Sequence, residues 1–301
     1  MSRAVVTGGA GFIGAHLVRA LIARGDSVVA LDNLRRGSWH ALPPGVERVE
    51  ADIRDPAALR DAFADIDMVY HLAAQSNVLG ALADPDYSFT TNVVGTYNVL
   101  QAARSTGVAR VVFSSSREVY GEPAMLPVCE DTPLGAKNPY GASKVAGEAY
   151  CRVLACDSMA TSILRFGNVY GPGDRDRVIP LWIARAARRE PLEVFGGAQE
   201  MDFVPIDLAV RALLAATDRG VAGPVNVGTG IATRIGDLAE RIRSFADGQI
   251  EVVSRPARIA EVVRFVADVT RMRQTLGIEP AADPLCGLEA LWAAERDLVR
   301  R

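Results

Sequence analysis

Apolar and polar positions follow two rhythms over the first 166 residues. Short, nearly all-apolar runs at residues 4–7, 27–31, 46–50, 68–72, 110–114 and 161–166 predict strands. Longer segments at 12–24, 56–64, 87–106 and 140–155 have the spacing of amphipathic helices. Strands that are apolar on both faces and separated by helices predict a parallel sheet covered on both sides. The expected fold is therefore α/β, a Rossmann-type doubly wound sheet. After residue 166 the rhythm loosens. A Gly- and Arg-rich loop at 171–177, a helix over 179–189, a Gly196-Gly197 turn, a strand at 225–227 and a helix at 235–245 predict a smaller C-terminal lobe. The predicted division is 1–166 for the sheet domain and 167–301 for the lobe, with segments around 204–230 returning to the sheet.

The turn after the first strand reads Thr7-Gly8-Gly9-Ala10-Gly11-Phe12-Ile13-Gly14. Glycines at 8, 11 and 14 allow a tight turn, close backbone approach to a pyrophosphate, and tight helix–strand packing. The helix that opens there supplies amide donors and the positive end of its dipole. Asp32 ends the second strand, where a carboxylate accepts from ribose hydroxyls and repels a 2′-phosphate, so NAD is expected over NADP. Asn33 follows it, and Asp52-Ile53 after the third strand are candidates to meet the adenine.

Composition narrows the choice of partner. The chain has 301 residues, 49% apolar and 23% charged, with a net charge of −3, which fits a soluble globular protein. It has no basic run or basic aromatic patch, which disfavours nucleic acid. No stretch reaches the roughly 18 apolar residues of a membrane span. The N-terminus enters a strand directly, without the pattern of a signal peptide. Cys129, Cys151, Cys156 and Cys286 lack metal-ligand spacing and read as reduced thiols of a cytoplasmic protein. His16, His40 and His71 read as structural, and no metal is expected.

Of 33 cationic side chains only Lys137 and Lys144 are lysines. Lys144 lies four residues after Tyr140, on the same face of a predicted helix. An ammonium beside a phenol stabilises the phenolate and lowers a pKa that is ordinarily about 10, making a general base usable near neutrality.

With these residues in view, the chain resembles the extended short-chain dehydrogenases/reductases of the nucleotide-sugar epimerase/dehydratase family, of the UDP-glucose 4-epimerase type. The resemblance rests on residues 8–14, Asp32-Asn33-Leu34, Asp52-Ile53-Arg54-Asp55 and His71-Leu72-Ala73-Ala74-Gln75. It continues through Asn92-Val93-Val94-Gly95-Thr96, Ser114-Ser115-Ser116-Arg117-Glu118-Val119-Tyr120-Gly121, Asn138-Pro139-Tyr140-Gly141-Ala142-Ser143-Lys144 and Arg165-Phe166-Gly167-Asn168-Val169-Tyr170-Gly171-Pro172. It implies that Tyr140 takes the proton of a sugar 4-hydroxyl while hydride leaves C4 for NAD. Ser116 would bond the same oxygen, and Lys144 would hold the nicotinamide ribose. Gly8, Gly11, Phe12, Ile13, Gly14, Asp32, Asn33, Asp52, Ile53, Leu72, Ala73, Ala74, Asn92, Tyr140 and Lys144 would contact the coenzyme. Ser116, Asn168, Arg177, Val178, Phe195 and Arg258 would contact a nucleotide-diphosphate sugar. The resemblance also implies a homodimer built on the helices at 87–106 and 140–155, consistent with apolar Val93, Tyr97 and Leu100, positions that could equally face the sheet.

Two departures lie on the substrate side. The usual arginine before an Asp-Phe pair is Met201, leaving Arg175, Arg177 or Arg264 to supply the charge. The motif around Arg258 has Ala260 in place of its usual Gly. Dehydratases of this type carry Asp-Glu after the catalytic Ser or Thr, whereas here the pair is Arg117-Glu118. An arginine does not donate its proton, which favours 4-epimerisation. Glu118 keeps a 4,6-dehydratase or uronate decarboxylase open, with a 4-ketoreductase or a non-catalytic NAD-binding regulator behind them.

Overall fold

The computed structural model describes residues 2–175, 177–257 and 262–299. Its central sheet has seven parallel strands: β1 (Arg3–Thr7), β2 (Ser27–Asp32), β3 (Glu47–Glu50), β4 (Met68–His71), β5 (Arg110–Ser116), β6 (Ala160–Phe166), and the late strand Gly223–Val227. The order is β3-β2-β1-β4-β5-β6 with Gly223–Val227 at the far edge, paired to β6. The expected doubly wound α/β sheet is present. Chain direction across the sheet reverses between β1 and β4, and a crevice opens beyond their carboxyl ends.

Alternation along the strands explains why both faces are covered. Ala4 and Val6 of β1 enter one apolar core with Leu17, Leu21, Leu208 and Leu213. Val5 points the other way, joining Leu31, Phe63, Leu100 and Phe113. Trp182, Phe203, Leu238 and Leu288 form a third core, in the lobe.

One predicted helix is interrupted. The segment expected to be continuous from 87 to 106 comprises Pro85–Phe89, a π-helical turn Thr90–Val94, and Gly95–Thr106. Such a turn adds a residue to the helical cycle and re-aims the side chains around it; Asn92 sits at its centre. Helix Ile206–Asp218, short strands in the lobe and the final helix Leu288–Val299 complete the fold. No helix among the described residues is long and apolar enough to cross a membrane.

Candidate active site

A cleft of about 1490 Å³ runs from the β1 turn across the ends of β4 and β5 into the lobe. Single-ligand pockets occupy roughly 300–1,000 Å³, so this one has room for two ligands end to end. Its floor requires glycine. Gly8 has φ +71°, and a Cβ there would lie 2.8 Å from the Ala73 amide nitrogen. At Gly14 a Cβ would run into the Gly8 carbonyl. Helix Phe12–Ala23 begins at Gly11 with no side chain capping it, so the amides of its first turn are presented to the cleft, where Gly11, Phe12, Ile13 and Gly14 all lie. An uncapped helix start over a cradle without side chains fits a pyrophosphate.

Asp32 is buried at the end of β2. Its carboxylate accepts from the Ala10 amide at 3.0 Å and the Leu34 amide at 2.9 Å. Burial pushes its pKa up, and these two amides pull it back. Beside it, Asn33 donates to Asp52 at 2.9 Å, and Arg54 makes two side-chain bonds to the same carboxylate. Arg54, foremost among these donors, holds Asp52 down to about 2. Ile53 packs beneath Gly95, and Leu72, Ala73 and Ala74 line the wall beyond β4. Arg35 stacks on Tyr87 at 3.7 Å and pairs with Asp84 at 3.8 Å, so its charge is engaged beside the site. These features suit the adenosine end of NAD.

Asn92 is buried away from the cleft lining. Its amide donates to the Gln75 carbonyl at 3.1 Å and the Ser143 hydroxyl at 2.9 Å, and its oxygen accepts from the Gln75 amide at 2.8 Å. Ser143 in turn donates to the Tyr140 carbonyl. Asn92 thus braces the loop after β4 against the helix carrying Tyr140 and Lys144.

That helix, Pro139–Leu154, starts with Pro139 in its first turn and the Asn138 side chain accepting from the Gly141 amide at 2.9 Å. A Cβ on Gly141 would sit 2.5 Å from the Glu118 carbonyl, so this glycine lets the helix close onto the 3-10 turn Arg117–Tyr120. Ser116 caps that turn, its hydroxyl accepting from the Glu118 amide. The close approach brings Tyr140 and Ser116 to the same part of the cleft, where Ser116 acts to lower the phenol's pKa. Lys144 is buried and donates to the Ser114 carbonyl at 2.7 Å. Ser116, Tyr140 and Lys144 line the cleft.

The electrostatics of the protein alone differ from the expected Tyr/Lys pairing. Burial dominates at Tyr140 and raises its pKa, against lowering by the Arg177 charge, the Ser116 bond and Arg117. Burial also depresses Lys144 to about 8. The amine is spent on a main-chain carbonyl, and Arg177 is the principal cation acting on the phenol. Desolvation of the two groups by the surrounding protein outweighs the neighbour.

On the lobe side, Asn168, Arg177, Val178 and Phe195 line the same cleft. Arg177 pairs with Asp174 at 3.1 Å. Arg258 lies outside the described residues. Met201 is 7% exposed and lines the cleft, while Arg264 is turned to Glu200 at 2.9 Å. Glu118 is buried, with one oxygen 3.0 Å from Arg117 and the other accepting from Asn138 at 2.7 Å. Among the described residues no cluster of three metal-ligating side chains occurs. His71 is buried between Thr7 and Thr96 at 2.8 and 2.9 Å, and burial drives its pKa down to about 3, so it is a neutral brace.

The sequence reading passed over a buried support. Ser115, next to Ser116, donates to Glu148 at 2.6 Å, and Arg165 clamps Glu148 with bonds of 2.8 and 2.7 Å. A charge inside the apolar strand β6, and a glutamate one turn after Lys144, were the available signals.

The sequence profile of the "NAD dependent epimerase/dehydratase family" matches residues 4–228. A protein of Methanocaldococcus jannaschii named "Putative UDP-glucose 4-epimerase" is 37% identical over 288 residues, covering 93% of each chain. "UDP-glucuronic acid decarboxylase 2" of Arabidopsis thaliana is 33% identical over 95% of this chain and 66% of its own length. The structure of a UDP-glucose 4-epimerase from Thermotoga maritima, solved with UDP-glucose, superposes with a TM-score of 0.95 at 31% identity, covering 99% of both chains. With its Gly-rich turn, acid-ended second strand and Ser/Tyr/Lys set in one cleft, the chain belongs to the NAD-dependent epimerase/dehydratase family.

Proposed function

We propose that the protein is a nucleotide-sugar 4-epimerase acting on a UDP-hexose or UDP-hexuronate. It would oxidise C4, allow the 4-keto sugar to rotate, and reduce it from the opposite face. The observation that carries this reading is the state of Glu118. Both of its oxygens are engaged, by Arg117 at 3.0 Å and Asn138 at 2.7 Å. Arg117 occupies the position where a dehydratase needs a proton donor, a role its guanidinium does not perform. Similarity to proteins named UDP-glucose 4-epimerase supports the same choice.

In this reading Tyr140 takes the proton from the 4-hydroxyl and later returns it, and Ser116 holds the same oxygen. Lys144, anchored on the Ser114 carbonyl, meets the nicotinamide ribose. The β1 turn holds the pyrophosphate, and Asp32 accepts from the adenosine ribose. Bound NAD supplies the hydride acceptor and donor. Asn168, Arg177, Val178 and Phe195 take the nucleoside diphosphate.

A second reading, hexuronate decarboxylation, draws on the presence of Glu118 in the cleft and on the decarboxylase similarity. Incubation with UDP-glucose, UDP-galactose and their uronates in D₂O, followed by NMR, separates the two. Inversion at C4 with no deuterium at C5 is expected. Release of CO₂ or water would replace the epimerase reading.

We also infer a homodimer. Phe89, Val94, Tyr97, Tyr150 and Val153 are exposed on the two helical segments that flank β5 and β4, with Tyr97 and Tyr150 rings 5.4 Å apart. Leu100 takes the other orientation open to it and packs in the sheet core. Light scattering should give twice the chain mass, and Val153→Glu should shift it toward monomer; a wild-type monomer would refute the inference. Four free cysteines fit a reducing cytoplasm, and recovery of the native enzyme from a secreted fraction would contradict that placement.

A further inference from the structure

We propose that Arg117 supplies the positive charge that Met201 does not offer the substrate diphosphate, so that the guanidinium reaches the ligand from the opposite wall of the cleft. The inference rests on the sugar-nucleotide reading above. A thioether cannot neutralise a phosphate, and Met201 stands at the position where the resemblance expects an arginine. Met201 pairs in register with Phe265 on adjacent parallel strands, so the two side chains leave the same face of that small sheet. The Arg117 guanidinium carbon lies 5.9 Å from the centre of the Phe265 ring. Arg117 thus lies beside the in-register neighbour of Met201, and both residues line the cleft. Arg264, beside Met201 in the chain fold, is more than half exposed and is spent on Glu200.

The bonding of Arg117 leaves it one free arm. Its Nε donates to the Asn168 side-chain oxygen at 3.0 Å, and one terminal nitrogen pairs with Glu118 at 3.0 Å. The other terminal nitrogen is buried and has no hydrogen-bond partner among the described residues. A buried guanidinium nitrogen without an acceptor is unfavourable. An anionic oxygen brought by the ligand would satisfy it, next to Asn168. Glu118, itself steadied by Asn138, keeps the guanidinium in place and balances its charge before the ligand arrives.

The test is calorimetric binding of free UDP to the NAD-loaded enzyme, followed by dTDP, GDP and CDP. Arg117→Met combined with Glu118→Gln removes the ion pair without stranding a buried carboxylate. This variant should lose about ten- to a hundred-fold in affinity for the diphosphate. Adding Met201→Arg should recover it to within about three-fold, because the charge then comes from the other wall. Arg117→Lys should lose less than the neutral variant. Melting temperature and retained NAD show whether each protein is folded, and the rescue by Met201→Arg is an outcome that simple misfolding cannot produce. Unchanged UDP affinity in the neutral variant overturns the inference. UDP-glucuronate is titrated alongside, and a loss confined to it, with free UDP unaffected, also overturns the inference, since that would assign Arg117 to a sugar carboxylate. Failure of the wild type to bind any nucleoside diphosphate brings down the sugar-nucleotide reading as well, whereas wild-type binding with unaffected variants removes only Arg117.

Discussion

Tyr140→Phe is expected to lower kcat by about a thousand-fold while leaving NAD and nucleotide affinity within about three-fold, since a positioned general base is worth roughly 10²–10⁴. The change deletes one oxygen. Ser116 keeps its bond from the Glu118 amide, and Lys144 keeps its bond to the Ser114 carbonyl. The sign of the pH dependence follows from the two shifted groups. The phenolate is the active form of Tyr140, and burial holds the phenol above its ordinary value. Turnover should therefore rise with pH on the acid side. The ammonium form of Lys144 is the one that supports a phenolate, and burial holds that amine at about 8. Because the phenol titrates above the amine, turnover should then level off past that value, each gain in phenolate being offset by a loss of ammonium, and fall only above the phenol's own pKa. Steady-state rates from pH 6 to 10 on both proteins check this. A Phe variant within ten-fold of wild type, or one with the same rise on the acid side, would remove Tyr140 as the base.

Glu148→Ala is expected to cost about 3–5 kcal/mol of stability, the range for stranding a buried charge. Arg165 is 1% exposed and makes two bonds to Glu148, its other amine donating to Tyr120 and the Glu130 carbonyl. Without the carboxylate its charge is left uncompensated in the interior. Replacing both, as Glu148→Leu with Arg165→Met, should cost less than the single change, because the desolvation penalty disappears with the pair. The loss should also reach the chemistry. Ser115 bonds Glu148 from the residue beside Ser116, and Lys144 lies one turn earlier on the same helix. Urea unfolding of the single and double variants measures the first effect, and kcat the second. Glu148→Ala within 1 kcal/mol of wild type would show that water or a rearranged side chain takes over the carboxylate's place.

The features legible in the sequence were those with a local period. Apolar runs marked the six strands that carry the coenzyme half. The residue 8–14 turn announced itself because close approach leaves room only for glycine, and the four-residue spacing of Tyr140 and Lys144 placed them on one helix face. The π-helical turn at Thr90–Val94 was hidden, since no side-chain pattern distinguishes its bonding from that of the helix on either side. Nor could the sequence show that the Asn92 amide, a coenzyme contact by resemblance, bonds Gln75 and Ser143. The two- and three-residue strands of the lobe were too short to carry any alternation.

Partnerships across the fold were invisible for a related reason. Arg117 could be noticed as an odd residue beside Ser116, but its bond to Asn168, 51 residues away, and its place over Phe265 exist only once the lobe closes on β5. The sequence by itself determined the architecture and the Gly-rich turn, because these follow from periodicity and backbone sterics, and it named the side chains proposed to carry chemistry. Only the tertiary structure decided how those groups are charged and what each one holds. Desolvation and ion pairing depend on what surrounds a group in space, and at Tyr140 and Lys144 that surrounding outweighed the neighbour four residues along the helix.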